Sequence, residues 1–291
     1  MRILLTGSTG FIGSSLLEEL LLIKKIKILA VSRKKNISKG NITYIKTDLK
    51  NIHLYKDEII CFSPNIIIHL AWEGIPVFTK QNCKINYINS MNLAKICLNI
   101  DSCSKFISFG SCLEYKKRKG KCFEDNYQNR KSILSKTKIQ IFEDLNKFFI
   151  KKRIDLIWFR LFYVYGRGQR KGSLMPSIIR KLNKNKNFHF KNPFFSNDYI
   201  NVKDVTRLII KSLNQNEISG IYNVGSGRTY QNYEIYNAIN HIINSKKIIT
   251  PLNTKKLSNG LYASLKKTNL TFKWKPRISI LKGIRQMINE K

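Results

Sequence analysis

The chain has 291 residues, 43% of them hydrophobic, with 53 Lys and Arg against 18 Asp and Glu for a net charge of +35. That length is ample for a sizeable core, and the hydrophobic fraction excludes intrinsic disorder, so the charge is not that of an unfolded basic tail. Apolar runs fall far below the roughly 18 residues of a membrane span. No secretory leader precedes the first predicted strand, so a cytoplasmic location is expected.

Arg2–Thr6 reads as a short strand running into a glycine turn, and 11–23 as the helix after it. Residues 27–31, 42–46 and 66–70 are further strands; 82–100 is a long helix and 105–109 a strand. A second long helix covers 132–152 and a strand follows at 154–161. Such alternation predicts an α/β fold, a Rossmann-like doubly wound parallel sheet covered on both faces. Beyond about 165 the segments shorten and Pro176, Pro193, Pro251 and Pro276 interrupt them, with one more helix at Val202–Leu213 and one more strand at Gly220–Val224. We therefore expect a nucleotide-binding domain over 1–165, with 198–224 returning to it, and a smaller, irregular substrate region over 166–197 and 225–291.

Each long helix carries two apolar stripes. In 132–152 they are Leu134, Ile141, Leu145 and Phe148, and Ile139, Phe142 and Phe149; in 82–100 they are Ile88, Met91 and Leu98, and Ile85, Asn92 and Ile96. A helix on one sheet face needs a single stripe. The second calls for another partner, most simply the same helices of a second subunit in a homodimer; the alternative is cover from the C-terminal region.

The charge has a bland source. The chain holds 40 Lys, 43 Ile and 29 Asn but only 5 Ala, a bias that an A+T-rich codon pool imposes everywhere at once. Basic residues are spread along the sequence, so nucleic acid is not the expected partner despite the usual meaning of such a charge. Local clusters at 116–121 and 180–191 stand out. The six cysteines form no C-x-x-C pair and, with few His, offer no metal-ligand spacing, so they read as free thiols and no metal is expected.

The strongest local signal is Thr6-Gly7-Ser8-Thr9-Gly10-Phe11-Ile12-Gly13, placed between a predicted strand and a predicted helix. Gly7 permits the tight turn, Gly10 removes a side chain where a pyrophosphate approaches, and Gly13 lets the helix pack on the sheet. The helix N-terminus then offers amides to the phosphates, with Thr9, Phe11 and Ile12 beside them. The next strand ends in Ser32-Arg33-Lys34, without the carboxylate that bonds the ribose hydroxyls of NAD. A guanidinium suits a 2′-phosphate, so the expected cofactor is NADP, with NAD the alternative. Asp48 and Leu49, after the third strand, are placed to cap the adenine.

With these motifs the sequence resembles the NAD-dependent epimerase/dehydratase family, the extended short-chain dehydrogenase/reductases that act on nucleotide sugars. The glycine triplet matches, as does His69-Leu70-Ala71-Trp72, whose Leu70, Ala71 and Trp72 would line the cofactor. Gly110-Ser111-Cys112-Leu113-Glu114-Tyr115 resembles the segment carrying the catalytic Ser or Thr, which falls on Ser111. Residues 160–169, 198–205 and 222–227 resemble three further family signatures. The likeness implies a nucleotide-diphosphate sugar as substrate and a 4-keto-sugar reductase or 4-epimerase of surface-polysaccharide synthesis. Tyr163, Asn197 and the basic Arg180 stand where such relatives contact the sugar nucleotide.

The family's Tyr-x-x-x-Lys pair is incomplete. With Ser135-Lys136 as the lysine site, the likeness implies that Lys136 would also bond the nicotinamide ribose, and Ser132 stands at the tyrosine position. A serine hydroxyl is a far weaker acid than a phenol. Three readings stay open: Tyr127 replaces the phenol from the preceding loop; Ser132 with a water, or Tyr163, relays the proton; or the chain binds its ligands without effective catalysis. A non-catalytic binding protein on the same scaffold, drawing RNA to its positive surface, is the rival from another class, although no basic-aromatic single-strand motif supports it.

Overall fold

The computed structural model describes residues 1–34, 38, 40–117, 119–126, 128, 131–244 and 260–289. Along the chain run β1 (Arg2–Thr6), α1 (Phe11–Leu20), β2 (Lys27–Ser32), β3 (Ile42–Lys46), a 3-10 stretch (Leu49–Tyr55), α2 (Lys56–Phe62), β4 (Ile66–His69), α3 (Lys80–Cys97) and β5 (Lys105–Ser111). Then come β6 (Gly120–Cys122), α4 (Ile133–Ile150), β7 (Asp155–Leu161), β8 (Tyr163–Tyr165), α5 (Leu174–Leu182), β9 (Ser196–Asn197), β10 (Tyr199–Asn201) and α6 (Val202–Leu213). The last are β11 (Gly220–Val224), β12 (Tyr230–Gln231), α7 (Asn232–Asn244), β13 (Leu261–Ala263), α8 (Lys266–Phe272) and α9 (Ile280–Asn289).

Seven strands form one sheet in the order β11-β7-β5-β4-β1-β2-β3. The β1–β2, β2–β3, β1–β4 and β4–β5 pairs are parallel, which gives the doubly wound sheet that the sequence alternation implies. The winding reverses beside β1, so the ends of β1 and β4 make the crevice where such sheets take ligands. All four residues of β4 are buried, as a strand covered on both faces requires.

The chain divides into two compact units. The first comprises 1–116, 127–160 and 209–222; the second comprises 117–126, 161–208 and 223–291. Residues 209–222 join the first unit through Lys105, whose buried amine donates to the carbonyls of Ser212 (2.8 Å), Leu213 (2.9 Å) and Gln215 at the end of α6. A lysine is a favourable partner for helix-terminal carbonyls.

Packing between α3 and α4 accounts for part of the stripes. Met91, Leu93, Ala94 and Ile96 of α3 share one core cluster with Ile141, Leu145 and Phe149 of α4. The Tyr87 hydroxyl donates to Asp144 across the same seam at 2.9 Å. This seam covers members of both stripes of each helix within the chain, while Ile88 of α3 stays 42% exposed.

The second unit is more helical than its punctuation promises. Pro176 lies in the first turn of α5, where a missing N–H costs nothing, and Met175, Ile178 and Leu182 make the buried face behind it. Two buried carboxylates organise this unit. Asp198 accepts the backbone N–H groups of Ser226 (2.6 Å), Gly227 (3.0 Å) and Ala263 (3.0 Å) and the Ser226 hydroxyl (2.7 Å). Asp204 accepts those of Arg277 (3.1 Å) and Ile278 (3.0 Å). Replacing Asp198 by Ala would strand several buried donors, each worth about 1–3 kcal/mol. Urea unfolding should show a loss of about 3 kcal/mol or more; a loss under 1 kcal/mol would mean that these bonds do not organise the unit.

Candidate functional site

A cleft of about 460 Å³ opens at the switch point of the sheet. Gly7, Thr9, Gly10, Phe11, Ile12 and Gly13 form its floor; Ser32, Arg33, Lys34 and Leu49 line one side, and Leu70, Ala71, Trp72, Glu73, Asn86 and Asn89 the other. The cleft therefore brings together the glycine turn, the end of β2 and the segment after β4, as the dinucleotide reading requires. Asp48 does not line it: its carboxylate caps the 3-10 stretch, accepting from Lys50 N at 3.1 Å.

The floor is built on missing side chains. Gly7 has φ +73°, and a Cβ there would lie 2.6 Å from Ala71 N; a Cβ at Gly13 would fall on the Gly7 carbonyl oxygen. No side chain caps the N-terminus of α1 and no acidic residue sits in its first turn, so its positive end is left for an anion.

The far side is pinned by His69. Ser90 Oγ donates to Asn86 O (2.8 Å), so it accepts from His69 Nε2 (2.9 Å), and His69 Nδ1 accepts from Thr6 Oγ1 (2.8 Å). Burial, and secondarily the nearby Lys138, push this imidazole down to about 3 and keep it neutral. The chain of bonds ties β1, β4 and α3 together and delivers Trp72 and Asn89 to the cleft. Trp72 Nε1 and Asn89 Oδ1 are buried with no partner. An orphan donor and an orphan acceptor beside a phosphate cradle fit a dinucleotide.

Two lysines of α4, two residues apart, differ in where they point. Lys136 and Ser132 are both exposed. Ser132 is the N-cap of α4, its hydroxyl accepting from Ser135 N at 3.0 Å. Lys138 is the lysine that turns inward: its amine donates to Phe109 O at 2.6 Å and rests 3.5 Å from the centroid of the Trp72 ring. Burial pushes this amine down to about 7, while the Glu114 carboxylate, and after it Cys83, pull it upward. One turn before Lys138, on the same face, stands Leu134, 6% exposed. A leucine has no proton to exchange.

Ser111 is held by a buried carboxylate that sequence reasoning passed over. Glu114 Oε1 accepts from Ser111 N at 2.7 Å, while Glu114 Oε2 accepts from Arg160 Nε (2.8 Å) and Trp158 Nε1 (3.2 Å). The Ser111 hydroxyl accepts in turn from Leu113 N, at 3.2 Å. A Cβ at Gly110 would collide with both Glu114 and Trp158, so the glycine before Ser111 is what admits this cluster.

The remaining expected residues lie elsewhere. Tyr127 falls outside the described residues. Tyr163, Arg180 and Asn197 belong to the second unit: Tyr163 and Arg180 are exposed, and the buried Asn197 donates its amide to the Tyr199 hydroxyl at 3.2 Å.

The chain belongs to the NAD dependent epimerase/dehydratase family, which it matches over residues 3–225. It is 24% identical to CDP-abequose synthase of Salmonella muenchen, covering 100% of this chain and 98% of that protein. It is 25% identical to dTDP-4-dehydro-6-deoxyglucose reductase of Escherichia coli, over 98% and 96% of the two. Among solved structures, UDP-glucose 4-epimerase of Thermotoga maritima, seen with UDP-glucose, superposes with a TM-score of 0.85 at 19% identity over 99% and 98% of the two chains. UDP-glucuronic acid 4-epimerase of Bacillus cereus, seen with NAD, has a TM-score of 0.85 at 20% identity over 99% and 96%.

Between about 7 and the 10.5 of a free lysine, the folded chain holds Lys138 neutral while the unfolded chain binds a proton. The stability contributed at this position should therefore rise with pH across that window and be flat below it. Thermal unfolding of wild type against Lys138→Met should show the difference growing in favour of wild type from pH 7 to 10. A difference that stays flat over that range would mean that Lys138 is not held neutral by burial.

Proposed function

We propose that this chain binds a nicotinamide dinucleotide, NADP(H) ahead of NAD(H), and uses it on the sugar of a nucleotide-diphosphate sugar, as a 4-keto-sugar reductase or 4-epimerase. The observation that carries this reading is the cleft itself, with its glycine floor and uncapped helix end; Lys138 lies behind it, over the Trp72 ring that lines it. The relatives named above support the substrate class, and Arg33 on the rim supports the 2′-phosphate.

The glycine turn and the first amides of α1 would hold the pyrophosphate, Ser32 and Arg33 the adenosine ribose, and Trp72, Asn89 and Lys138 the nicotinamide side. When bound, the nicotinamide supplies or takes the hydride at the sugar carbon. This chain's own task is then to orient that carbon and to move a proton at its oxygen. Ser111, fixed by Glu114, is placed to orient the oxygen by a hydrogen bond. Lys138 would bond the ribose and raise the local positive potential. The proton donor is what α4 lacks, since Leu134 occupies the place one turn before Lys138. Tyr127 is the phenol nearest in sequence, and we assign it that role.

A second reading has one observation in its favour, the buried Leu134: the chain binds both ligands and catalyses nothing. The two separate in one experiment, NADPH oxidation with a 4-keto nucleotide sugar. Under the first reading the wild type turns over and Tyr127→Phe loses about 100-fold or more, the scale of a general acid. Under the second the wild type binds NADPH without turnover, and Leu134→Tyr creates activity. Failure to bind either dinucleotide would remove both.

A further inference from the structure

The cleft has one acidic residue among the described residues that line it, Glu73, set among groups otherwise suited to phosphates. Its placement is built in. Asn86, 3% exposed, accepts from Glu73 N at 2.8 Å and donates to Glu73 O at 3.0 Å, and the same amide donates to Asn82 O at 2.7 Å. One buried side chain thus clamps both backbone groups of Glu73 to α3. Gly74 then turns the chain at φ +84°, where a Cβ would strike the Asn82 side chain.

From this fixed point the carboxylate reaches Arg33, Nη1 to Oε1 3.3 Å. Arg33 follows β2 and Glu73 follows β4, and in the sheet β1 lies between those strands. The strands they follow are two spacings apart in the sheet, with β1 and its glycine turn between them. The ion pair spans the groove that the dinucleotide would cross, and it occupies the guanidinium that a 2′-phosphate needs. NAD(H) has no 2′-phosphate to compete with Glu73 for Arg33.

We propose that Glu73 is a selectivity residue for the dinucleotide: its carboxylate competes with the adenosine 2′-phosphate for Arg33 and holds down the preference for NADP(H) over NAD(H). The inference rests on the dinucleotide reading given above and deepens it. The pair is largely exposed, with Arg33 at 68%, so its competition is worth a few-fold and no more.

The test is titration of NADPH and NADH into the full chain, followed by quenching of protein fluorescence or by calorimetry, for wild type, Glu73→Gln, Arg33→Ala and the double variant. The quantity read is the ratio of the NADH to the NADPH dissociation constant. Glu73→Gln should raise that ratio about three- to five-fold, and the same change in the Arg33→Ala background should leave it unmoved. An unchanged ratio, including equal tightening of both dinucleotides by simple charge relief, overturns the inference while leaving the dinucleotide reading intact. A rise that persists without Arg33 also overturns it. If wild type binds neither dinucleotide, the inference falls with the reading it rests on.

Discussion

Everything at the candidate site depends on how closely three backbone segments approach at the end of β1. The helix α1 sits so near the turn that a side chain at Gly13 would occupy the Gly7 carbonyl, and the turn sits so near β4 that one at Gly7 would strike Ala71. No substitution of residue type could bring strand, helix and crossover strand to one point. The reward is a groove floored by backbone, with an uncapped helix end facing it, and phosphate recognition requires little more.

Polar chains then carry that geometry outward. On one side Thr6, His69, Ser90 and Asn86 run from β1 through β4 to α3 and fix Trp72 and Glu73 at the rim. On the other, Glu114 gathers Arg160, Trp158 and the Ser111 amide under the end of β5. A buried carboxylate of this kind is retained only when its partners are complete. Here both Glu114 oxygens accept, and the carboxylate holds Ser111 and biases Lys138 through charge. Positioning is thus well provided for, while the place one turn before Lys138 holds the hydrocarbon of Leu134.

Much of this was legible in the sequence. The glycine turn, the Leu70-Ala71-Trp72 segment and the alternation that makes the sheet are local patterns, and local patterns survive without knowledge of contacts. Which lysine of α4 turns inward is harder to read, because Ser135-Lys136 and Thr137-Lys138 offer the same dipeptide chemistry two residues apart. Helix phase could have decided it: Lys138 shares a face with Leu134, Ile141 and Leu145, and Lys136 does not. Phase also accounts for part of the double stripes, since α3 and α4 lie side by side and cover members of both. Pro176 read as punctuation because a first-turn proline and a helix-breaking one look alike until the helix start is known. The Arg33–Glu73 and Ser111–Glu114 partnerships depend on the fold: the first joins residues 40 apart across the sheet, and the second needs the gap left by Gly110.

The central claim is that the cleft over Gly7, Gly10 and Gly13 holds a dinucleotide with its nicotinamide side toward Lys138. A crystal structure of the chain grown with NADP⁺ tests it most directly. The account predicts the pyrophosphate on the amides of Gly10, Phe11 and Ile12, the adenosine beside Ser32 and Arg33, and the nicotinamide ribose within hydrogen-bond reach of Lys138. A dinucleotide bound with Lys136 at its ribose, or bound away from the glycine turn, would contradict it.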